Sequence, residues 1–159
     1  MPGTSLNRPA SPKSDDTDTI VERMGRHFEA EGVPRIGGRL YGHLLLQSEP
    51  KSLDDLAAEL RVSKTSVSTN ARLLEGTRLV ERVTKPGDRR DYYQAAPDQT
   101  KTLEFRLEHL RQLVELLQDA QQVVPGDDGV VQRRLSGMER FTGEAVDALE
   151  ALLSTTRGR

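Results

Sequence analysis

The chain has no cysteine and no tryptophan, and only three Phe and three Tyr among 159 residues. Without thiols there is no disulfide, no thiol nucleophile and no cysteine-ligated zinc, and the absence suits a reducing cytosol. Long apolar runs are missing too. None approaches the roughly 20 residues that a bilayer-spanning helix needs, so no membrane role is expected. Pro2, Pro9, Pro12 and several serines stand where a secretory signal would carry its apolar core. The three histidines, His27, His43 and His109, have no metal-ligand spacing. There is no phosphate-binding glycine loop, nucleophile elbow or zinc-protease motif. An enzyme is therefore not expected, nor a cofactor or metal.

What is present is charge, unevenly spread. Charged residues make up 30% of the chain and the net charge is −2. The segment 61–94 nevertheless holds eight basic residues against four acidic ones, leaving the remainder at −6. A locally basic module on an acidic body fits a nucleic-acid binder, although many surfaces share that pattern.

The organisation follows from periodicity and punctuation. Residues 1–16 are rich in Pro, Ser and Thr and read as a disordered arm. Segment 17–34 holds a first helix capped by Asp18 or Thr19, with Ile20, Met24, His27 and Phe28 on one face; Gly32 ends it and Pro34 opens the next. A second helix over 35–47 carries Ile36, Leu40, Tyr41, Leu44 and Leu45 at helical spacing. Gly38 and Gly42 share one of its faces, which close helix packing would explain; a frayed helix is the plainer alternative.

Ser52 caps a third helix, with Asp55 three residues on as a capping-box variant. Leu53, Leu56, Ala57 and Leu60 form its buried stripe, Arg61-Val62 makes a turn, and Ser63 caps a fourth helix ending near Glu75. Small Ala57 permits a close crossing, and Val67, Ala71 and Leu74 bury the fourth helix on the third. Strands follow over 79–84 and 92–95, joined by a loop turning at Pro86-Gly87. Helix, tight turn, helix and β-hairpin make a winged helix-turn-helix, which lays its second helix in a DNA major groove. The fold class is thus mainly α, with a winged helix over 35–97 and a small hairpin wing.

Two long helices complete the chain over 98–156. Leu103, Leu107, Leu110, Val114, Leu117, Gln121 and Val124 follow a 4-3 spacing, repeated through Val131, Leu135, Met138, Thr142, Ala145, Leu149 and Leu152. Joined through Pro125-Gly126, they predict an antiparallel hairpin with more apolar face than it buries alone. Leu107, Leu110, Val114, Leu149 and Leu152 would need a partner to cover them, and a homodimer is the simplest one.

The function rests on two groups of residues. Thr65, Ser68, Thr69 and Arg72 point outward from the fourth helix, where hydroxyls suit phosphates or base edges and Arg suits guanine. Ser63 and Lys64 sit at its start, Lys64 placed for a phosphate. A solvated face would also use Ser, Thr and Arg, but one shaped only for solubility would favour Glu, Lys and Gln. At the hairpin tip Lys85, Arg89 and Arg90 suit a minor groove or phosphates, and Asp88 is placed to orient Arg90 by an ion pair.

From Arg35 to Ala95 the chain resembles the GbsR-type branch of the MarR family of winged helix-turn-helix transcriptional regulators. The resemblance is carried by Pro34-Arg35-Ile36-Gly37-Gly38-Arg39-Leu40-Tyr41-Gly42, Ser52-Leu53-Asp54-Asp55-Leu56-Ala57, Ser63-Lys64-Thr65-Ser66-Val67-Ser68, Leu73-Leu74-Glu75, Leu79-Val80 and the wing Pro86-Gly87-Asp88-Arg89-Arg90-Asp91-Tyr92-Tyr93. It implies a cytoplasmic homodimer, built by its N- and C-terminal helices. Such a dimer binds double-stranded DNA at a pseudo-palindromic operator, more often to repress. The recognition helix then falls on 63–75, and the wing Asp and Arg on Asp88 and Arg90. Two positions depart from the family pattern: Arg61 and Arg78 stand where Gly is usual, at about 1 kcal/mol each if the backbone is left-handed there.

GbsR-type relatives sense small quaternary-ammonium compounds, which implies a small-molecule effector. Such cations are held by aromatic cages. Phe28, Tyr41 and Phe105 would serve as a lining or simply as core, and no ligand residue is assigned. The competing function is a winged-helix protein-interaction module that does not bind DNA. That module would show an exposed apolar patch instead of wing arginines. A helical dimerisation scaffold with a vestigial winged helix is the third reading.

Overall fold

The computed structural model describes residues 14–126 and 128–157, which divide into two compact units, one ending at Ala95 and the other beginning at Ala96. The arm expected over 1–16 lies, up to residue 13, outside the described residues; its last three are already helical. Helix α1 spans Ser14–Ala30 and so begins before the expected cap at Asp18 or Thr19. Asp15 and Asp16 in its first turn complement the helix dipole there. Left-handed Gly32 (φ 86°) closes it, with the Val33 N–H returning to the Phe28 carbonyl at 3.0 Å.

Helix α2, Arg35–Leu45, crosses α1 at its glycines. A Cβ on Gly38 would sit 2.8 Å from the Met24 carbonyl oxygen, and one on Gly42 2.8 Å from the Met24 Cβ. Close packing, not fraying, is what these glycines serve. Strand β1, Lys51–Ser52, was not legible in the sequence. It leads into α3 (Leu53–Leu60), which a turn joins to α4 (Lys64–Gly76). Strands β2 (Val80–Val83) and β3 (Tyr92–Ala95) form the wing hairpin. The sheet order is β1-β3-β2, antiparallel throughout, with Tyr92 opposite both Ser52 and Val83. The expected two-stranded wing is therefore a three-stranded sheet anchored on the residue before α3.

Leu40, Leu56, Val67 and Leu74 are essentially sealed from solvent, so α2, α3 and α4 share one core. Both arginine-for-glycine departures are left-handed: Arg61 has φ 56° and Arg78 φ 63°. The tight turns are kept, with Val62 N–H on the Ala57 carbonyl at 3.1 Å and Leu79 N–H on the Leu74 carbonyl at 3.0 Å. Each Arg bears the steric cost of a Cβ in that region.

In the second unit α5 (Thr100–Val123) and α6 (Gly129–Arg157) form an antiparallel pair. Arg111 meets Glu150, and Gln118 and Gln121 meet Glu139. Two expectations on the seam need correction. Met138 is 50% exposed and Leu152 49%, whereas Glu139 is half-buried and Leu153 buried. At these two positions the inward side chain is the next one along, whereas Thr142 between them is buried and Val131, Leu135, Ala145 and Leu149 are half-buried, as the 4-3 spacing predicts. Nor does Leu107 need a partner, since it is 6% exposed; Leu110, Val114 and Leu149 are half-buried. Leu152 is exposed as expected, and the other large exposed apolar side chains described in this unit are Leu116, Val123, Val130, Met138 and Phe141.

Candidate nucleic-acid interface

Helix α4 is placed by its caps and its buried stripe. The Ser63 hydroxyl accepts from the Ser66 N–H at 3.1 Å and donates to the Ser66 hydroxyl at 2.9 Å. This use of Ser63 satisfies an orphan donor of the first turn. Val67, Asn70, Ala71 and Leu74 are buried, which turns Thr65, Thr69 and Arg72 outward and leaves Ser68 half-covered. Arg72 folds along the helix: its Nε donates to the Ser68 carbonyl at 3.3 Å and a terminal nitrogen to the Ser68 hydroxyl at 3.2 Å. Lys64 is paired with Asp54 of α3 at 2.8 Å, both being exposed. That contact is held in water and is readily exchanged for a phosphate.

The wing tip is organised around one carboxylate. Asp88 accepts from the Arg90 backbone N–H at 2.9 Å and from the Arg90 guanidinium at 3.0 Å (Nε) and 2.7 Å (terminal nitrogen). It also accepts from the Tyr92 hydroxyl at 2.7 Å. The Arg90 guanidinium, then the Tyr92 hydroxyl, hold the Asp88 carboxyl far below the usual carboxylate range; Arg90 is raised in turn by Asp88. The Lys85 ammonium lies 4.2 Å from the centre of the Tyr92 ring, within cation–π range. Arg89 is exposed and has no ion pair or hydrogen bond among the described residues. The candidate residues thus fall into two groups, Ser63 to Arg72 on one helix and Lys85 to Arg90 on the wing, both belonging to the first unit.

Sequence reasoning missed several members of this surface. Asp54 opposite Lys64 is one. Arg82, which bridges Glu75 at 3.5 Å and Asp91 at 3.7 Å, is another. Tyr92 is the third. Strict alternation would have put Tyr92 and Tyr93 on opposite faces with one exposed, yet both are buried, Tyr93 in the core and Tyr92 under the wing. The wing cations gave the only available signal for Tyr92, since a ring beside several of them has something to hold. Among the described residues no group of carboxylates and histidines is arranged to hold a metal, and no helix is long and apolar enough to cross a membrane.

A family model described as MarR family matches residues 43–91. Over 84 residues the chain is 40% identical to the HTH-type transcriptional regulator MmpR5 of Mycobacterium tuberculosis, an alignment covering 52% of this chain and 51% of that protein. It is 28% identical over 81 residues to the HTH-type transcriptional repressor GbsR of Bacillus subtilis, covering 51% of this chain and 44% of that one. The matches thus span about half the length of these curated relatives. A crystal structure of a transcriptional regulator aligns over 91% of this chain and 99% of its own, with a TM-score of 0.82 and 31% identity.

Proposed function

Since the chain belongs to the MarR family of winged-helix transcriptional regulators, we propose that it is a sequence-specific DNA-binding regulator, acting in the cytoplasm as a homodimeric repressor at a pseudo-palindromic operator. The observation that carries this reading is the pairing of a hydroxyl-and-arginine face on α4 with a wing whose Arg90 is clamped by Asp88. In this reading α4 reads base edges in the major groove. Lys85, Arg89 and Arg90 take phosphates or the minor groove beside it. A protein-interaction module would not need cations at the wing tip and should show an exposed apolar patch.

Placement in the GbsR-type branch is supported by the Gly87-Asp88-Arg89-Arg90-Asp91-Tyr92-Tyr93 wing and by the match to GbsR, though MmpR5 matches at higher identity. A small-molecule effector follows from that placement. Phe28 and Tyr41 meet edge to face at 5.4 Å, and Phe105 packs on His109 in the other unit. The aromatic pair is thus spent on packing, and no effector residue is proposed.

The test is a gel shift with duplex DNA from upstream of the chain's own gene, repeated across salt concentrations. Binding is expected to weaken steeply with salt, as cations displace counterions from phosphates. Arg89→Ala with Arg90→Ala should lower both affinity and salt slope, the slope by about 2 if each residue holds one phosphate. An unchanged slope would remove the wing from the interface.

A further inference from the structure

The wing's direction is set by a residue that carries no charge. We infer that Tyr92 is the positioning residue of the DNA-binding wing: its hydroxyl fixes the carboxylate that aims Arg90, and its ring seats Lys85. The inference rests on the DNA-binding reading above and deepens it.

Three observations converge on this side chain. The Tyr92 hydroxyl donates to Asp88 Oδ2 at 2.7 Å, the same oxygen that receives the Arg90 terminal nitrogen at 2.7 Å. The Lys85 ammonium lies 4.2 Å and the Arg90 guanidinium carbon 5.3 Å from the centre of its ring. Tyr92 is itself well anchored: it is 5% exposed and sits in the central strand, opposite Ser52 on one side and Val83 on the other.

The physical consequence concerns Asp88. A carboxylate at an exposed loop tip samples several rotamers, and an arginine paired to it moves with it. The Tyr92 hydroxyl removes that freedom, because it reaches Asp88 from a ring locked in the sheet. Arg90 is then pre-aimed, so less side-chain entropy is lost when it meets DNA. Seating Lys85 on the same ring holds a second cation within reach of Arg90.

The experiment is a double-mutant cycle on the full-length chain, read by fluorescence anisotropy with the labelled upstream duplex. Tyr92→Phe keeps the ring and removes only the hydroxyl. It is expected to weaken binding by about three- to tenfold, less than the full worth of a hydrogen bond to a charged group because Asp88 stays paired with Arg90. In an Arg90→Ala background the same change should have no further effect, because there is nothing left to aim. Tyr92→Leu, which also removes the seat of Lys85, should additionally flatten the salt slope. Circular dichroism melts would show that Tyr92→Phe stays folded. Equal affinity of Tyr92→Phe and wild type, or an equal loss with and without Arg90, would overturn the inference while leaving DNA binding standing. Absence of wild-type binding would overturn the DNA-binding reading, and this inference with it.

Discussion

Arg39 of α2 donates to the Leu60 carbonyl at 3.0 Å, while its Nε lies 2.5 Å from Glu22 Oε1 of α1. One guanidinium thus ties the first helix to the last residue of α3, immediately before left-handed Arg61. Arg39→Met keeps much of the apolar stem but leaves the Leu60 carbonyl without this donor and removes one of the two arginines paired with Glu22. A loss of about 1–3 kcal/mol is expected, seen as a lower urea midpoint. An unchanged midpoint would show that the tie contributes nothing.

The neighbouring residue should respond in the opposite direction. Arg61 holds φ 56° with its side chain exposed. Arg61→Gly relieves the Cβ and is expected to stabilise the chain by about 1 kcal/mol, less the entropy glycine gains in the unfolded state. Urea unfolding of the two proteins side by side measures it, and a destabilised variant would refute the strain argument.

On α4 the substitutions should divide by role. Thr69→Ala or Arg72→Ala is expected to relax preference at particular operator positions, at about 1–3 kcal/mol for a lost base contact. Lys64→Ala should weaken all sequences alike. Binding to a panel of single-base operator variants separates the two patterns. Unchanged discrimination in all three proteins would take α4 out of the groove.

Acid should weaken the fold through identifiable carboxylates. Arg90 lowers Asp88, Ser52 lowers Asp55 and Arg35 lowers Glu22, each below its ordinary value of 3.8 or 4.5. Folded values below unfolded ones mean stability that is whole above about pH 4.5 and is lost as pH falls through the folded values. The urea midpoint should therefore hold from pH 7 to 5 and drop below pH 4. Asp55→Asn, less stable at neutral pH, should lose less on acidification; an equal drop in both proteins would discount the Ser52–Asp55 pair.

Assembly is predicted from the second unit. Phe141 is 73% exposed, Leu116 64% and Val123 81%, more apolar surface than solubility favours. A two-fold dimer would cover part of it and set two copies of α4 about one DNA turn apart, near 34 Å. Sedimentation should find a dimer at micromolar concentration, and Phe141→Glu should weaken it. A wild-type monomer that binds operator tightly would contradict this.

The elements that announce themselves chemically were legible in the sequence. Ser52 with Asp55 and Ser63 marked two helix starts, and alternating burial of Leu56, Val67 and Leu74 gave the helix-turn-helix core. Arg61 and Arg78 were recognisable as left-handed because glycine is usual there. Strand β1 was not legible, since two residues carry no period and their pairing with Tyr92 and Tyr93 is made some 40 residues away. The α5–α6 seam was legible except at Met138 and Leu152, where the next residue along turns inward; neighbouring positions border the same face, and packing decides between them. Of the site, the outward residues of α4 and the wing-tip cations stood out, while Asp54, Arg82 and the uncharged Tyr92, which are known only by what they pair with in space, did not.

Ser52 belongs to two structures at once. It ends β1 opposite Tyr92, and its hydroxyl caps α3 through Asp55. Hairpin and α3, with α4 packed on both, are consequently cast in one piece, like the two prongs of a plug. Such a plug cannot widen one prong's reach to suit a poorly spaced socket. If α4 and the wing take DNA as proposed, an operator whose wing contact is shifted relative to its major-groove bases would itself have to twist or bend to fit, and the stiffness of the DNA between those two contacts would become part of what the protein selects.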